Sequence, residues 1–473
     1  MRSILPAAAL LAALCGCASV APDSSVTQSA RPKNVIFFLG DGMGMNTLTA
    51  ARIFAVGEEG QLTLDTLPES AFVKTFARDA QVTDSAASMS AYMTGVKVNN
   101  GVIAMSADTM ALAPGKDKSG NATIARCING APVPTLGELA RRRGLAVGVV
   151  TTTRVTDATP AAVYAHACDR GMETDIAAAL VPGGAGYNSA LGAGGIDVLF
   201  GGGTSAFQSV ANGGKRADGR DLLAEMQARG ISTALNAAQF RAIDRMPAAG
   251  LFAATDMSYD AVRDPAREPS LADMAGKAVK LLSTNPNGFF LVVEGGLIDH
   301  ALHDTQAKRA LQEVVAFDNA LKAVISQMQG IDPGLRNTLI VVTADHDHTL
   351  HLNGYARRTG KTTDTEPGVL GLVRRVSDGK PQLDLDGRPY TIIGFGTGEH
   401  RVQGARSSVA PLTDALVAAD GYHQEAVVRT APGSETHGGT DVYLGAIGAG
   451  AHTFHGTIDN TRVFELIKAA AGW

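Results

Sequence analysis

Asn34-Val35-Ile36-Phe37-Phe38-Leu39-Gly40-Asp41-Gly42-Met43-Gly44 decides the fold. Its apolar run does not alternate with polar residues, so neither face of the strand is meant for water. Such a strand belongs inside a sheet covered on both sides. The run then stops at glycine and delivers one carboxylate, Asp41, between Gly40 and Gly42. Similar short apolar runs occur at residues 146–151, 198–200, 289–293 and 338–343, with helix-like patterns at 136–143, 271–282 and 306–328 between them. Buried strands alternating with helices predict an α/β fold, a three-layer α/β/α sandwich around a large, mostly parallel sheet. Ligands of such sheets bind beyond the carboxyl ends of the strands. The stretch 352–432 breaks the pattern: strand-like pieces at 368–373 and 390–395 sit among charged and glycine-rich loops. It reads as a smaller, crown-like insertion over the main sheet.

Chemistry-bearing residues stand where that rule places them. The run 289–293 is followed by Glu294, then Asp299 and His303; the run 338–343 is followed by Asp345 and His346. One strand-end carboxylate is commonly a helix cap, but three strands ending in acids, two of them with histidine, exceed what capping explains. Asp299 and His303 lie four apart, which a helix would turn to one face. Carboxylate plus imidazole is a donor set zinc accepts while keeping a coordination position open. Thr436-His437-Gly438-Gly439 offers a further imidazole on a loop, whereas Asp347-His348 and His351 lie close enough to be mistaken for ligands.

Thr83-Asp84-Ser85-Ala86-Ala87-Ser88 leads into another helical stretch. A serine at a helix N-terminus sits where N–H groups and the macrodipole favour an anion. Asp84 or Ser85 as a plain N-cap is the ordinary alternative. No Gly-x-Ser-x-Gly elbow and no histidine neighbour in sequence activates Ser85, so a metal is the available activator.

Together these segments resemble the alkaline phosphatase family: Asp41-Gly42-Met43-Gly44, the Ser85 segment, Asp157-Ala158-Thr159-Pro160, Val293-Glu294-Gly295 with Asp299 and His303, Thr343-Ala344-Asp345-His346, and Glu435-Thr436-His437-Gly438-Gly439, all in family order. Residues 149–154 with Tyr164-Ala165-His166 look more like the animal branch. The resemblance implies hydrolysis of phosphate monoesters through a phosphoserine at Ser85. It implies two zinc ions, one on Asp299, His303 and His437 and one on Asp41, Asp345 and His346. A magnesium ion is implied on Asp41, Thr159 and Glu294, and Arg170 as the clamp on the phosphate oxygens. The sequence departs from the best-known patterns at two neighbouring positions. Asp157 matches the bacterial version, while its partner position holds His300, as in animal enzymes.

Composition narrows the partners. A net charge of -5 gives no basic footprint for a nucleic-acid-binding module; the resemblance implies small-molecule phosphate monoesters as substrates and a homodimer as in relatives. Arg2, the apolar run 4–14 and Leu14-Cys15-Gly16-Cys17 read as a signal peptide over 1–17 with a lipobox-like end, followed by a flexible tether at 18–33 and the catalytic domain at 34–473. That reading makes the chain exported and periplasmic, or tethered to the outer membrane through a lipidated Cys17, with simple secretion as the alternative. Export permits a Cys127–Cys168 disulfide, but sequence leaves two buried free thiols equally open. Two rival functions remain: a phosphodiesterase or sulfatase of the same superfamily, and a non-catalytic metal- or phosphate-binding surface protein. The aldehyde-forming motif of sulfatases is absent around Ser85, and Thr159 with Glu294 argues against a diesterase.

Overall fold

The computed structural model describes residues 31–116 and 125–473. The expected signal peptide, Cys17 and residues 18–30 of the expected tether lie outside the described residues. Of that tether, Arg31–Lys33 is described and already docked: Pro32 is buried, and the Lys33 N–H donates to Asn337 O at 2.8 Å.

Two adjacent residues of the opening strand show how the layers are made. Side chains of a strand alternate between faces. The Phe37 ring meets Tyr92 on one face at 5.5 Å between centroids, and the Phe38 ring meets Phe317 on the other at 5.7 Å. Both phenylalanines are fully buried, and each such burial stabilises by roughly 1.5–3 kcal/mol. The strand therefore needs helices on both sides, as its unbroken apolar run requires.

That strand, β1 (Asn34–Gly40), lies in a sheet of ten, with β2 Glu69–Lys74, β3 Ala146–Arg154, β4 Val198–Gly202, β5 Ser232–Ala234, β6 Ala248–Leu251, β7 Phe289–Gly295, β8 Thr338–Ala344, β9 Val442–Gly448 and β10 Gly456–Asp459. The spatial order is β10-β2-β9-β8-β1-β7-β3-β4-β6-β5. Every pairing is parallel except the two made by β9, so one strand alone runs backwards. The five apolar runs read from sequence all form strands, and the sheet is mostly parallel as expected. On the Phe37 side lie α1 (Ser85–Thr94) and the terminal helix Asn460–Ala471. The Phe38 side carries the long helix Ala307–Ile331, packed against Leu271–Leu282. The latter begins where expected because Ser270 and Asp273 form a reciprocal capping box.

The insertion departs from expectation in detail. Residues 368–373 were expected to be strand-like, but Gly368–Leu370 is a 3-10 turn entered through Gly368 at φ +58°, a conformation outside the strand region. The other piece starts later than expected, as Ile393–Gly398. It pairs antiparallel with Leu350–Leu352 and parallel with Ala426–Arg429 in a separate three-stranded sheet. Among the described residues, no helix is long and apolar enough to cross a membrane. Cys127 and Cys168, left open by the sequence, are joined in a disulfide with Cα atoms 5.4 Å apart.

Candidate active site

β8, β1 and β7 are neighbours, and their carboxyl ends set Asp345, Asp41 and Glu294 side by side. Register fixes this: Gly40 lies opposite both Ala344 and Gly295, and Leu39 opposite Glu294. β3 continues the row, with Thr151 opposite Glu294, and leads the chain on to Asp157 and Thr159. From β7 the chain turns into α2 (Leu297–His303), which carries Asp299 and His303 one turn apart.

Two imidazoles there are aimed by carbonyls. His437 Nδ1 lies 2.8 Å from Thr83 O, and His303 Nδ1 lies 2.5 Å from Glu435 O. A carbonyl only accepts, so both rings carry their proton on Nδ1 and present a lone pair on Nε2. Those two Nε2 atoms face each other at 3.1 Å, each within 3.5 Å of Asp299 Oδ1. Facing lone pairs beside a carboxylate repel unless a cation lies among them. His346 repeats the device. Its Nδ1 is directed at Asp347 O, and its Nε2 lies 3.4 Å from Asp41 Oδ1 and 3.3 Å from Asp345 Oδ2. Burial and the neighbouring His437 hold His346 well below the usual histidine range, hence neutral, as a ligand must be.

The acids repeat the argument electrostatically. Burial first, then the charges of Asp345, Asp299, Glu294 and Asp157, pushes Asp41 well above the carboxylate range. Burial likewise lifts Asp345 to about 6 against the Gly42 N–H, and Glu294 to about 8 against its bond from Thr151. Asp345 Oδ2 and Thr159 Oγ1 are buried without hydrogen-bond partners. Massed buried carboxylates, orphaned oxygens and facing imidazole lone pairs fit bound divalent cations. The two imidazole-bearing groups suit zinc, and the all-oxygen group of Asp41, Thr159 and Glu294 suits magnesium.

Ser85 opens α1. Asp84 is the N-cap, its Oδ1 accepting from Ala87 N at 2.9 Å, so the cap and the candidate nucleophile are adjacent residues rather than alternatives. Ser85 Oγ is buried, 3.4 Å from Asp41 Oδ1 and 3.2 Å from His346 Nε2. Arg170 donates to Asp157 Oδ1 at 2.8 Å and reaches Asp84 Oδ2 at 3.4 Å. With 35% of its side chain exposed, it remains open to a ligand from solvent. Arg170 and Arg154 together overcome burial and hold Asp157 at about 2. His300 is half-buried and forms a further group with Asp157 and Asp256, their nitrogen and oxygen atoms within 4.8 Å of one another and Nδ1 3.8 Å from Asp256 Oδ2.

Several contributors were not singled out from sequence. His348, set aside there as a tempting neighbour, lies 2.7 Å from Asp299 Oδ1 and 2.5 Å from Glu435 Oε2. Burial opposes its charge, but these two acceptors prevail and raise it to about 10, making it an imidazolium that orients Asp299. Thr151 and Thr153 donate to Glu294 Oε2. Arg154 bridges Asp157, Glu173 and Asp256. A histidine that repeats two positions after His346, as His348 does, was the one available signal.

Carboxylates, imidazoles and a helix-N-terminal serine converging at the ends of parallel strands define a metal-dependent hydrolase. The family model described as alkaline phosphatase matches residues 32–473. The chain is 35% identical to an alkaline phosphatase of Gadus morhua, over 93% of this chain and 92% of that one. It is 36% identical to the tissue-nonspecific alkaline phosphatase isozyme of Rattus norvegicus, over 93% and 83%. Among solved structures, the alkaline phosphatase of Thermus thermophilus superposes with a TM-score of 0.65 at 26% identity, covering 93% of this chain and 92% of that one. The chain belongs to the alkaline phosphatase family and is a phosphoric monoester hydrolase.

Proposed function

We propose that the enzyme transfers the phosphoryl group of a monoester to Ser85 and then to water. The observation that carries this reading is the position of Ser85 Oγ at the start of α1, within 3.4 Å of Asp41 Oδ1 and His346 Nε2, which follow the ends of β1 and β8. Asp299, His303 and His437 would hold one zinc ion, Asp41, Asp345 and His346 a second, and Asp41, Thr159 and Glu294 a magnesium ion. Bound there, the ions supply Lewis acidity: positive charge against the phosphoryl oxygens and a lower pKa for hydroxyl groups beside it.

The protein's own part follows from its geometry. Ser85 opens a fully buried helix and attacks phosphorus in line. The Oγ–P bond forms as the ester P–O bond breaks, and the alcohol leaves. Arg170, steadied by Asp157 and Asp84, pairs its guanidinium with two phosphoryl oxygens. Water then attacks the phosphoserine from the vacated side, releasing inorganic phosphate and restoring Ser85. His346 and His437, with their Nδ1 protons committed to carbonyls, keep their Nε2 atoms aimed inward throughout.

Phosphate scavenging by an exported enzyme, tethered through a lipidated Cys17 and acting as a homodimer, completes the proposal. The Cys127–Cys168 bond supports an oxidising compartment. The test is an acid quench of the enzyme with labelled phosphate, followed by mapping of the label. Label on Ser85, lost in Ser85→Ala along with turnover while phosphate binding survives, supports the mechanism. Equal rates on monoesters and diesters, or turnover indifferent to chelator in metal-replete enzyme, would overturn it.

A further inference from the structure

A second convergence of metal-binding side chains lies in the insertion, made of residues that take no part in the strand-end site. Glu399 and His400 directly follow the strand Ile393–Gly398, and His423 precedes its parallel partner Ala426–Arg429. The pairing brings the two segments together. The Ala426 N–H donates to His400 O at 2.7 Å, and the Phe395 N–H donates to Glu425 O at 3.1 Å. Arg406 clamps Glu425 through both carboxylate oxygens, at 2.9 and 3.2 Å. The next residue after His423 is tied down too, with Gln424 N–H donating to Thr305 O at 3.0 Å. The backbone beneath all three side chains is thus held by main-chain bonds.

On that base, both imidazoles close on one carboxylate oxygen. His423 Nδ1 lies 2.7 Å and His400 Nε2 3.2 Å from Glu399 Oε1, with the rings 5.3 Å apart. The three donor atoms fall within 4.8 Å of one another. A simple histidine–glutamate pair would align an N–H with the carboxylate. Here His423 Nδ1 is fully buried and makes no hydrogen bond, although it lies 2.7 Å from Glu399 Oε1. A lone pair near a carboxylate, with a second imidazole beside it, is the arrangement of ligands around a shared ion rather than of partners in a pair. The glutamate and His423 are largely covered, whereas His400 is 56% exposed. The cluster opens on a cavity of about 580 Å³ lined by His400, Arg401, Leu412, Leu416, Tyr422 and His423.

We propose that Glu399, His400 and His423 form a zinc site separate from the catalytic centre. Two imidazoles and one carboxylate leave tetrahedral zinc one open position, which faces this cavity and takes water or a small anionic group. The Gln424 N–H bond to Thr305 O links the site to the turn just after α2, the helix bearing Asp299 and His303.

The test is the zinc content of the full chain after equilibration with excess zinc and gel filtration, compared with that of the His400→Ala/His423→Ala double variant. One equivalent less in the variant supports the site, and because the readout is a difference, it holds whatever the catalytic centre contains. Asp345→Asn serves as the converse control, losing zinc at the strand ends while keeping this equivalent. The exposed His400 allows a milder variant that will fold. His400→Ala alone should weaken the last zinc at least tenfold in chelator competition and leave monoester turnover unchanged. Equal zinc content in wild type and double variant, or unaltered competition in His400→Ala, overturns the proposal.

Discussion

Replacing His348 by alanine isolates a charge-bearing residue of the centre that sequence did not single out. The imidazolium donates to Asp299 and Glu435, whose side chains are 10% and 0% exposed. Glu435 keeps its bonds from Thr349 on Oε1, but Oε2 is left with His303 Nδ1 at 4.0 Å, beyond hydrogen-bond reach. Removing one partner from a buried charged network costs about 3–5 kcal/mol. A second effect falls on metal. Asp299 Oδ1 is the atom that both His303 and His437 face, and without His348 its carboxylate is free to turn. Loss of such an outer partner weakens metal affinity about 10–100-fold, or about 1.4–2.7 kcal/mol. The assay is zinc release to a chromophoric chelator, read beside monoester turnover as zinc is titrated back. The expected result is a weakened site whose maximal rate recovers at high zinc. A variant that keeps wild-type zinc affinity would refute the reasoning, because it would show that Asp299 does not depend on His348 for its orientation.

Other outcomes follow from the same contacts. Ser85→Ala should lower turnover by several orders of magnitude while phosphate still competes for the site, measured by calorimetry. Glu313 is buried on the long helix with one donor, Asp260 N at 2.7 Å, and burial raises it to about 7. A carboxyl raised on folding stabilises below its unfolded value and loses that stability as pH climbs through 7, so Glu313→Gln should match wild type near pH 4 and exceed it by about 3 kcal/mol at pH 9 in denaturant melts. Burial opposes the charged His166–Glu138 pair, but their 2.8 Å bond prevails, raising the histidine and lowering the glutamate. Its contribution should be full between their unfolded values, fading as pH falls through the glutamate or rises through the histidine, and Glu138→Gln should flatten that profile. Reducing Cys127–Cys168, which closes a 41-residue separation, should cost about 3–4 kcal/mol of stability and raise KM, because Cys168 lies two residues before Arg170.

Legibility followed the range of the contacts involved. Asp41, Glu294 and Asp345 stood out because each directly follows an unbroken apolar strand, so local pattern and the strand-end rule sufficed. Asp299 and His303 were legible from a spacing of four. The role of His348 was not, because it depends on Asp347–His348 pairing with His437–Gly438, residues almost ninety positions on. Its neighbour His351 shares the same local look, yet its ring Nδ1 is directed at Thr349 O. The disulfide and the Arg154 bridges are of the same kind, set by tertiary distance. In the insertion, apolar content at 368–373 suggested a strand, but a left-handed glycine and burial against the body of the protein settled on a turn.

Asp157 and His300 are where the chain departs from familiar patterns, and the contacts separate their roles. Both oxygens of Asp157 are committed, Oδ1 to Ala158 N and Arg170, Oδ2 to Arg154. Held at about 2 by two guanidinium groups, Asp157 stays ionised, and its bond to Arg170 makes it the anchor of the clamp. Arg154 then ties that anchor to Asp256, the carboxylate His300 faces at 3.8 Å. The phosphate clamp and the surroundings of the all-oxygen group are therefore mechanically joined through one arginine. Changing His300 should reach Arg170 indirectly, through its neighbours Asp157 and Asp256, whereas changing Asp157 should free the clamp directly. Asp157→Asn is accordingly expected to raise KM and phosphate inhibition constants together, with His300→Ala altering the magnesium requirement and leaving phosphate affinity nearly unchanged.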